Sequence, residues 1–255
     1  MAGFAEHQGR WVRRGDSIIL VDAAIDPGQA SMRARQTAST FDSELNELSM
    51  TYRAPKKNVS NRDAPPDSFL DELVVWGKIA PDDIFAPNRN DDVYSSVSRV
   101  LGPYKSLCHR RAVMLEVMRV LAGFESGWTW NQGRDRDADA RAARHNKVRS
   151  EVELEAGAWQ VSANSMGWGA ELKNLVLRKV GSLDAKDFQR AMKQDHQLAM
   201  EYIARLLRRT VKANGPVLRH EIDQWLRPDA VREFQSFLCP VGDFPLPPAS
   251  APSFA

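Results

Sequence analysis

Apolar positions are densest in the middle of the chain. The stretch 103–124 has a helical pattern, and between Arg111 and Phe124 only Arg111, Glu116 and Arg119 interrupt its apolar surface. A helix that is apolar on nearly every side lies inside a protein and not on its surface. The pattern therefore predicts a central, buried helix around which the other elements pack.

Amphipathic stretches on both sides of this helix predict the rest of a helical domain. Apolar residues recur there with the spacing of a helix that buries one face. The predicted helices cover residues 68–76, 92–101, 171–180, 187–211, 217–226 and 228–238.

Residues 1–67 have a different pattern and are predicted to form an N-terminal extension. Short apolar stretches on either side of an Arg14-Gly15-Asp16 turn predict a β-hairpin, and apolar residues with helical spacing follow Pro27. The polar segment 54–66, bounded by prolines, has the composition of a linker. We expect a helical domain from 68 to 240 and a flexible proline-rich tail from 241 to 255. The fold class is then mainly α, of the α+β kind, with a small β element.

The predicted β element lies beyond the central helix, after a charged insert. Glu125-Ser126-Gly127 ends the helix, and Gly157-Ala158-Trp159-Gln160 belongs to a predicted small-residue strand that continues to Ser165. The insert, residues 134–155, carries charges of both signs and few large apolar side chains, which predicts a flexible surface loop. A lid over a neighbouring cleft is the functional alternative.

Glu125 has the surroundings that a general acid needs. Gly127 stops the helix and leaves Glu125 beside Phe124 at the helix end. Because partial burial disfavours the carboxylate anion, we expect Glu125 to hold a proton near neutral pH. Such a carboxyl group can protonate a glycosidic oxygen. The alternative is a solvated acid at a helix end, which has no catalytic role.

The predicted strand carries groups that suit a sugar polymer. Gly157 and Ala158 have almost no side chain, so a polysaccharide could approach their backbone and hydrogen-bond to it. Neutral side chains that recognise hydroxyl and N-acetyl groups follow at Gln160, Ser162 and Asn164. Tryptophan rings bury the apolar faces of sugars, and four of the seven tryptophans fall in this part of the chain: Trp128, Trp130, Trp159 and Trp168. We expect one or two of them to face the cleft and the others to belong to the core.

These motifs resemble the lysozyme-like superfamily, in particular its goose-type lysozyme and soluble lytic transglycosylase branch. In that branch the catalytic acid is the Glu of a Glu-Ser-Gly-type motif, and a Gly-Leu-Met-Gln-like strand lines the sugar cleft. Glu125-Ser126-Gly127 matches the first motif, and Gly157 to Gln160 matches the second with Ala158 and Trp159 in place of Leu and Met. The resemblance is specific between Leu121 and Gly169 and vague elsewhere.

The resemblance implies a lysozyme-like fold and a muramidase that cuts the bond between N-acetylmuramic acid and N-acetylglucosamine in the peptidoglycan glycan strand. It makes Glu125 the general acid and indicates Ser126 and Trp159 as substrate-binding residues; the clustering of tryptophans adds Trp128 and Trp130 to that set. Three alternatives remain: a lytic transglycosylase acting on the same bond, a chitinase-like enzyme, and an inactive lysozyme-like module that binds the wall or a partner protein.

A second catalytic carboxylate is harder to assign. The candidates are six acidic residues of the insert: Asp135, Asp137, Asp139, Glu151, Glu153 and Glu155. Glu155 adjoins the predicted strand and Asp135 closes the loop after Trp130, so these two are the preferred candidates. A lytic transglycosylase needs only one Glu, because a hydroxyl group of the sugar itself attacks the anomeric carbon. The number of catalytic carboxylates therefore stays open.

Composition narrows the classes of function. The 255 residues carry a net charge of only +2 with both signs interspersed, which does not favour a nucleic-acid partner. The histidines and the two cysteines lack metal-ligand spacing, and neither a Gly-rich phosphate loop nor a Gly-x-Ser-x-Gly elbow occurs, so we predict no metal and no cofactor. We expect Cys108 and Cys239 to be two separate reduced thiols.

The N-terminal sequence shapes the expected location. It has no charged start followed by a long apolar run, and residues 17–21 are too short for a signal sequence or a membrane span. We expect synthesis in the bacterial cytoplasm, no stable membrane insertion, and action on the wall after phage-type lysis or injection by a secretion machine. An injected antibacterial effector would require a cognate inhibitor protein in the cell that produces it.

Overall fold

The computed structural model describes residues 9–14, 17–22, 50–88, 91–133, 136–145, 148–209 and 215–239. The chain divides into two compact units, residues 1–48 and 49–255. In the first unit the described backbone forms two strands, β1 (Gly9–Arg14) and β2 (Ser17–Asp22), which pair antiparallel with Gly9 opposite Asp22. The helix predicted after Pro27 and the predicted tail, residues 241–255, lie outside the described residues.

The second unit is mainly helical, which confirms the predicted fold class at that level. Its described α-helices are α1 (Asp67–Ile79), α2 (Val93–Leu101), α3 (Leu107–Ser126), α4 (Arg136–Arg144), α5 (Ala170–Val180), α6 (Ala185–Gln194), α7 (His196–Arg209), α8 (Gly215–Leu218) and α9 (Pro228–Leu238). Two short strands, β3 (Glu155–Ala156) and β4 (Val161–Ser162), pair antiparallel. Short 3₁₀ helices cover Asp82–Ile84, Glu151–Glu153, Ala163–Trp168 and Asp223–Trp225. None of the helices in the described ranges is both long and apolar enough to cross a membrane.

Helix α3 is the centre of the core, as its apolar pattern predicts. Every residue from Ala112 to Gly123 is buried, and α1, α7 and α9 pack against the helix. Its end therefore has a fixed position relative to the surrounding helices. This matters for the site, because Glu125 lies in the last turn of α3.

The two charges inside α3 pair with each other. Glu116 and Arg119 are fully buried, and Arg119 Nε and Nη2 donate to the two carboxylate oxygens of Glu116 at 2.7 Å each. Arg119 Nη1 also donates to the Lys57 carbonyl at 3.1 Å, and the Arg227 N–H donates to Glu116 Oε1 at 2.9 Å. Burial raises the pKa of Glu116, and the charge of Arg119 opposes that shift. The pair ties α3 to a segment before α1 and to the start of α9.

The segment 54–66 packs on the helical unit and does not run free as a linker would. Val59 is fully buried, and the Glu233 carboxylate on α9 accepts the backbone N–H groups of Arg53 and Ala54 at 2.7 and 2.9 Å. The compact unit accordingly begins before residue 68, where the domain boundary is predicted. A polar, proline-bounded composition does not reveal such partners, because they lie far away in the sequence.

Three other predictions need correction. The insert is not a continuous loop, since it contains α4 and a 3₁₀ turn. Where one helix is predicted over 187–211, the described residues up to Arg209 form two helices that meet at Asp195, whose carboxylate accepts the Leu198 N–H and caps α7. The stretch 217–226 holds only the end of α8 and a 3₁₀ turn.

Cys108 and Cys239 form a disulfide, so the prediction of two reduced thiols is wrong. They are 131 residues apart in the sequence, yet their Cα atoms are 6.5 Å apart because α9 packs along α3. No local pattern indicates this pairing.

Candidate functional site

The end of α3 fixes the position of Glu125. Gly127 has a φ of +65°, in the left-handed region, and its N–H and that of Trp128 donate to carbonyls of the preceding turn at 3.2 Å. The bond from the Gly127 N–H to the Gly123 carbonyl, with Gly127 in the left-handed conformation, closes the helix in the manner of an αL cap. The cap leaves Glu125 half-buried at the end of the helix, while its neighbour Ser126 is buried.

Ser126 attaches this helix end to the hairpin formed by β3 and β4. Its hydroxyl donates to the Ala158 carbonyl at 2.8 Å and accepts the Thr129 N–H at 3.1 Å. Nearby, the Trp159 indole N–H donates to the Met118 carbonyl of α3 at 2.9 Å. Ser126 is therefore a buried connector between two elements and not the substrate contact that the resemblance implies.

Residues 157–160, predicted to be part of a strand, are the turn of the hairpin. Gly157 has a φ of +77° and lies so close to α6 that a Cβ there would be 2.5 Å from the Met192 carbonyl oxygen. Gln160 also has a positive φ, +46°, and its side-chain amide donates to the Gly157 carbonyl at 2.9 Å. A left-handed, non-glycine residue such as Gln160 costs backbone energy and is found more often at functional sites than elsewhere. Gly157 and Ala158 are buried, so the expected access of a polysaccharide to their backbone is absent.

A cavity of about 320 Å³ lies where the helix end meets this hairpin. Such a volume is near the lower end of the range for small-ligand pockets. The cavity brings together Glu125 and five residues predicted from the later segment, which are Glu155, Trp159, Gln160, Ser162 and Asn164. Two carboxyl groups and several neutral hydrogen-bonding groups thus share one space, and this combination suits acid–base chemistry on an uncharged, hydroxyl-rich ligand.

Other predicted site residues lie elsewhere. Trp128 is buried and donates its indole N–H to the Arg119 carbonyl at 2.9 Å, so it belongs to the core. Trp130 stacks on His196 with the ring centres 3.9 Å apart. Neither is among the residues that line the cavity. Asp135 lies outside the described residues.

The cavity wall also includes Trp168, one of the four clustered tryptophans, and residues from two distant helices that the sequence does not indicate. Trp159 and Trp168 both line the cavity, but Trp159 is buried at 3% exposure and Trp168 is 46% exposed. Trp168 is therefore the tryptophan best placed to stack on a ligand. Leu206, Gly215 and Pro216 complete the wall from α7 and α8. Trp168 is visible in the sequence as part of the tryptophan cluster, but the contribution of the two distant helices has no local signal.

Ser165 lines the cavity and holds part of its wall in place. Its hydroxyl lies 2.7 Å from the Tyr202 hydroxyl and donates to the Ser162 carbonyl at 2.6 Å. Burial raises the pKa of Tyr202 to about 12, although the hydrogen bond with Ser165 opposes the shift. Tyr202 is therefore neutral at physiological pH and acts as a hydrogen-bonding support for the turn that carries Ser162.

Two arginines set the charge around the cavity. Arg149 Nη2 lies 3.1 Å from Glu155 Oε2. Arg219 pairs with Glu221 through Nε at 2.7 Å and Nη2 at 3.1 Å, and its guanidinium packs against Gly215 of the cavity wall. The hydrogen bond with Glu221 raises the pKa of Arg219, and the negative charges of Glu221 and Glu125 add to the shift.

Among the described residues, no group of three or more His, Cys, Asp and Glu side chains is arranged to hold a metal ion. The chain matches no protein-family model, and neither a curated protein nor a solved structure is detectably similar to it. The residues of the cavity therefore provide the basis for a functional proposal.

Proposed function

We propose that the protein is a glycosidase that cuts bacterial peptidoglycan, with Glu125 as the general acid. The observation that supports this most is that Glu125, from the end of α3, and Glu155, from β3, line one cavity. Glycoside hydrolysis uses a pair of carboxyl groups, one as proton donor and one as base or nucleophile. The neutral groups of Gln160, Ser162 and Asn164 in the same cavity suit hydroxyl and N-acetyl groups of a sugar.

The motifs at this cavity support a lysozyme-like enzyme. Glu125-Ser126-Gly127 ends a buried helix and Gln160 faces the same cavity from a short hairpin, so the two motifs of the resemblance meet in space. In the proposed reaction Glu125 protonates the glycosidic oxygen between N-acetylmuramic acid and N-acetylglucosamine. Glu155 then accepts a proton from the attacking water.

A second carboxylate in the cavity favours a muramidase over a lytic transglycosylase. A hydrolase must activate water, and Glu155 lines the same cavity as Glu125 and can serve as the base. A transglycosylase needs only Glu125. Transglycosylation remains the alternative reaction at the same bond, with the sugar's own hydroxyl as the acceptor.

The disulfide supports a site of action outside the cytoplasm. Disulfides persist in oxidising compartments such as the periplasm, where the wall is found, and are rare in the bacterial cytosol. The proposal thus includes release of the protein during lysis or its delivery into rival cells. In the second case a cognate inhibitor protein would protect the producing cell.

The test is to incubate the purified protein with purified peptidoglycan and to determine the masses of the products. Ends that have gained water indicate a hydrolase, and anhydro ends indicate a transglycosylase. Chitin oligosaccharides, which lack the lactyl group, serve as the comparison substrate. Glycan strands that remain bound but intact would replace the enzyme proposal with that of a binding module.

A further inference from the structure

Arg149 connects the cavity to the charged insert. Its Nη2 lies 3.1 Å from Glu155 Oε2 and donates to the Glu153 carbonyl, and its Nη1 lies 3.7 Å from Asp139 Oδ1 on α4. The Arg149 side chain is only 12% exposed, compared with 31% for Glu155 and 20% for Asp139. Three segments of the insert and hairpin therefore meet at one guanidinium group.

Glu155 needs such a contact to keep its carboxylate in place. It belongs to a strand of two residues, so few backbone hydrogen bonds hold it. It also shares the cavity with Glu125, and once Glu125 has given up its proton the two negative charges repel each other. A planar guanidinium opposes both effects, because it offers several donors in a fixed geometry and carries a permanent positive charge.

We propose that Arg149 is a positioning residue that holds the Glu155 carboxylate toward the cavity, and that α4 braces Arg149 through Asp139. The proposal rests on the proposed function and assigns a role to the insert, which then supports the base and is not a lid. Catalysis depends on such placement, because a shift of about 1 Å in a catalytic group can reduce the rate about 100-fold.

Other charges near Glu155 must be separated from this effect. Glu151 and Glu153 precede it in the chain, and the packed helix α6 carries Lys186, Asp187, Arg190 and Lys193. Arg190 is a matched control, since it is an exposed arginine that pairs with Asp187 on its own helix and does not line the cavity. If charge in this region alone mattered, Arg190→Met would act like Arg149→Met.

The experiment is a double-mutant cycle on glycan cleavage. We expect Arg149→Met to lower kcat by about tenfold or more and to change KM by less than about twofold. Arg149→Lys should recover part of the lost kcat. Arg190→Met should leave both constants unchanged. In a Glu155→Gln background, Arg149→Met should lower kcat by less than about twofold further, because nothing remains to be positioned. Equal losses in both backgrounds, or no loss in the first, would overturn the proposal.

A thermal cycle distinguishes failure of this inference from failure of the proposed function. If the wild type cleaves no glycan, the proposed function fails, and the melting temperatures of the same variants decide whether Arg149 holds Glu155. If Arg149 holds Glu155, the double variant Arg149→Met/Glu155→Gln should have a melting temperature no lower than that of Arg149→Met alone. Additive losses would show that the two side chains are not coupled. If Arg149→Met does not fold, Arg149→Lys takes its place in both cycles.

Discussion

Glu125 owes its position to the two residues that follow it. Gly127 adopts a left-handed conformation that glycine accepts without steric cost, and this ends α3 directly after Ser126. The carboxyl group is then held at the end of a helix in which every residue from Ala112 to Gly123 is buried. A general acid requires this combination of a rigid support and partial access to the ligand.

Glu155 and Glu151 provide a matched pair of tests for the second carboxylate. Glu155 lines the cavity. Glu151 is exposed, lies four residues before Glu155 in the chain and does not line the cavity. We expect Glu155→Gln to lower kcat by about 100-fold or more, because the amide cannot accept a proton from water, and Glu151→Gln to leave it unchanged. Steady-state kinetics on soluble glycan fragments measures both. Equal, negligible losses would point to a mechanism with Glu125 alone.

Trp168 is expected to act on binding and not on chemistry. Its exposed indole lines the cavity, so Trp168→Ala should raise KM by about fivefold or more through lost stacking on a sugar ring, with kcat little affected. Leu177→Ala is the control, because Leu177 is similarly exposed on α5 but does not line the cavity. An unchanged KM for Trp168→Ala would remove this residue from the substrate site.

At the scale of elements, the site depends on the contact between α3 and the hairpin. Ser126 provides this contact, with its hydroxyl joined to Ala158 and Thr129 inside the protein. Removing the hydroxyl leaves the buried Ala158 carbonyl and the part-buried Thr129 N–H with one partner fewer. We expect Ser126→Ala to lower the free energy of unfolding by about 1–3 kcal/mol.

Urea unfolding measures this loss, and Ser98→Ala is its control. Like Ser126, Ser98 donates its hydroxyl to a carbonyl, that of Ser95, but it does so on the surface, where water replaces the bond. Ser126→Ala should also cleave glycan more slowly than the wild type, because the hairpin that carries Glu155 is held less firmly against α3. A stability equal to that of Ser98→Ala would mean that the contact does not hold the hairpin.

The sequence predicts elements well where local pattern decides them. Helix α9 begins at Pro228 and ends at Leu238 as predicted, because proline favours a first helical position and one apolar face packs on the core. The turn at 157–160 has no such local signal, because the space that Gly157 requires is set by Met192, which is distant in the sequence. Likewise, the cavity residues from Glu155 to Asn164 belong to a short segment with a recognisable composition, whereas Leu206, Gly215 and Pro216 come from distant helices without one.

At the scale of the whole molecule, the proposal separates the place of synthesis from the place of action. Peptidoglycan lies beyond the inner membrane, so the chain expressed in the bacterial cytosol should be tolerated. Fusion of a secretory signal should make it lytic, and the exported form can also oxidise Cys108 and Cys239 to the disulfide. Culture density after induction measures the difference.

The exported Glu125→Gln protein is the control for this comparison, because it shares the same core and nearly the same charge. It should be tolerated. Equal toxicity of the cytosolic and exported wild-type forms would argue against a peptidoglycan substrate. Toxicity of exported Glu125→Gln would favour a role that does not require catalysis.

The role of Glu125 as the general acid is measured most directly by the rate at which the purified wild type and Glu125→Gln release products from purified peptidoglycan. The amide keeps the shape of the carboxyl group but cannot deliver a proton, so we predict a loss of about a thousandfold or more. Circular dichroism and the melting temperature of the variant should match the wild type, which excludes misfolding as the cause. Retained turnover with unchanged products in Glu125→Gln would contradict the assignment of Glu125 as the general acid.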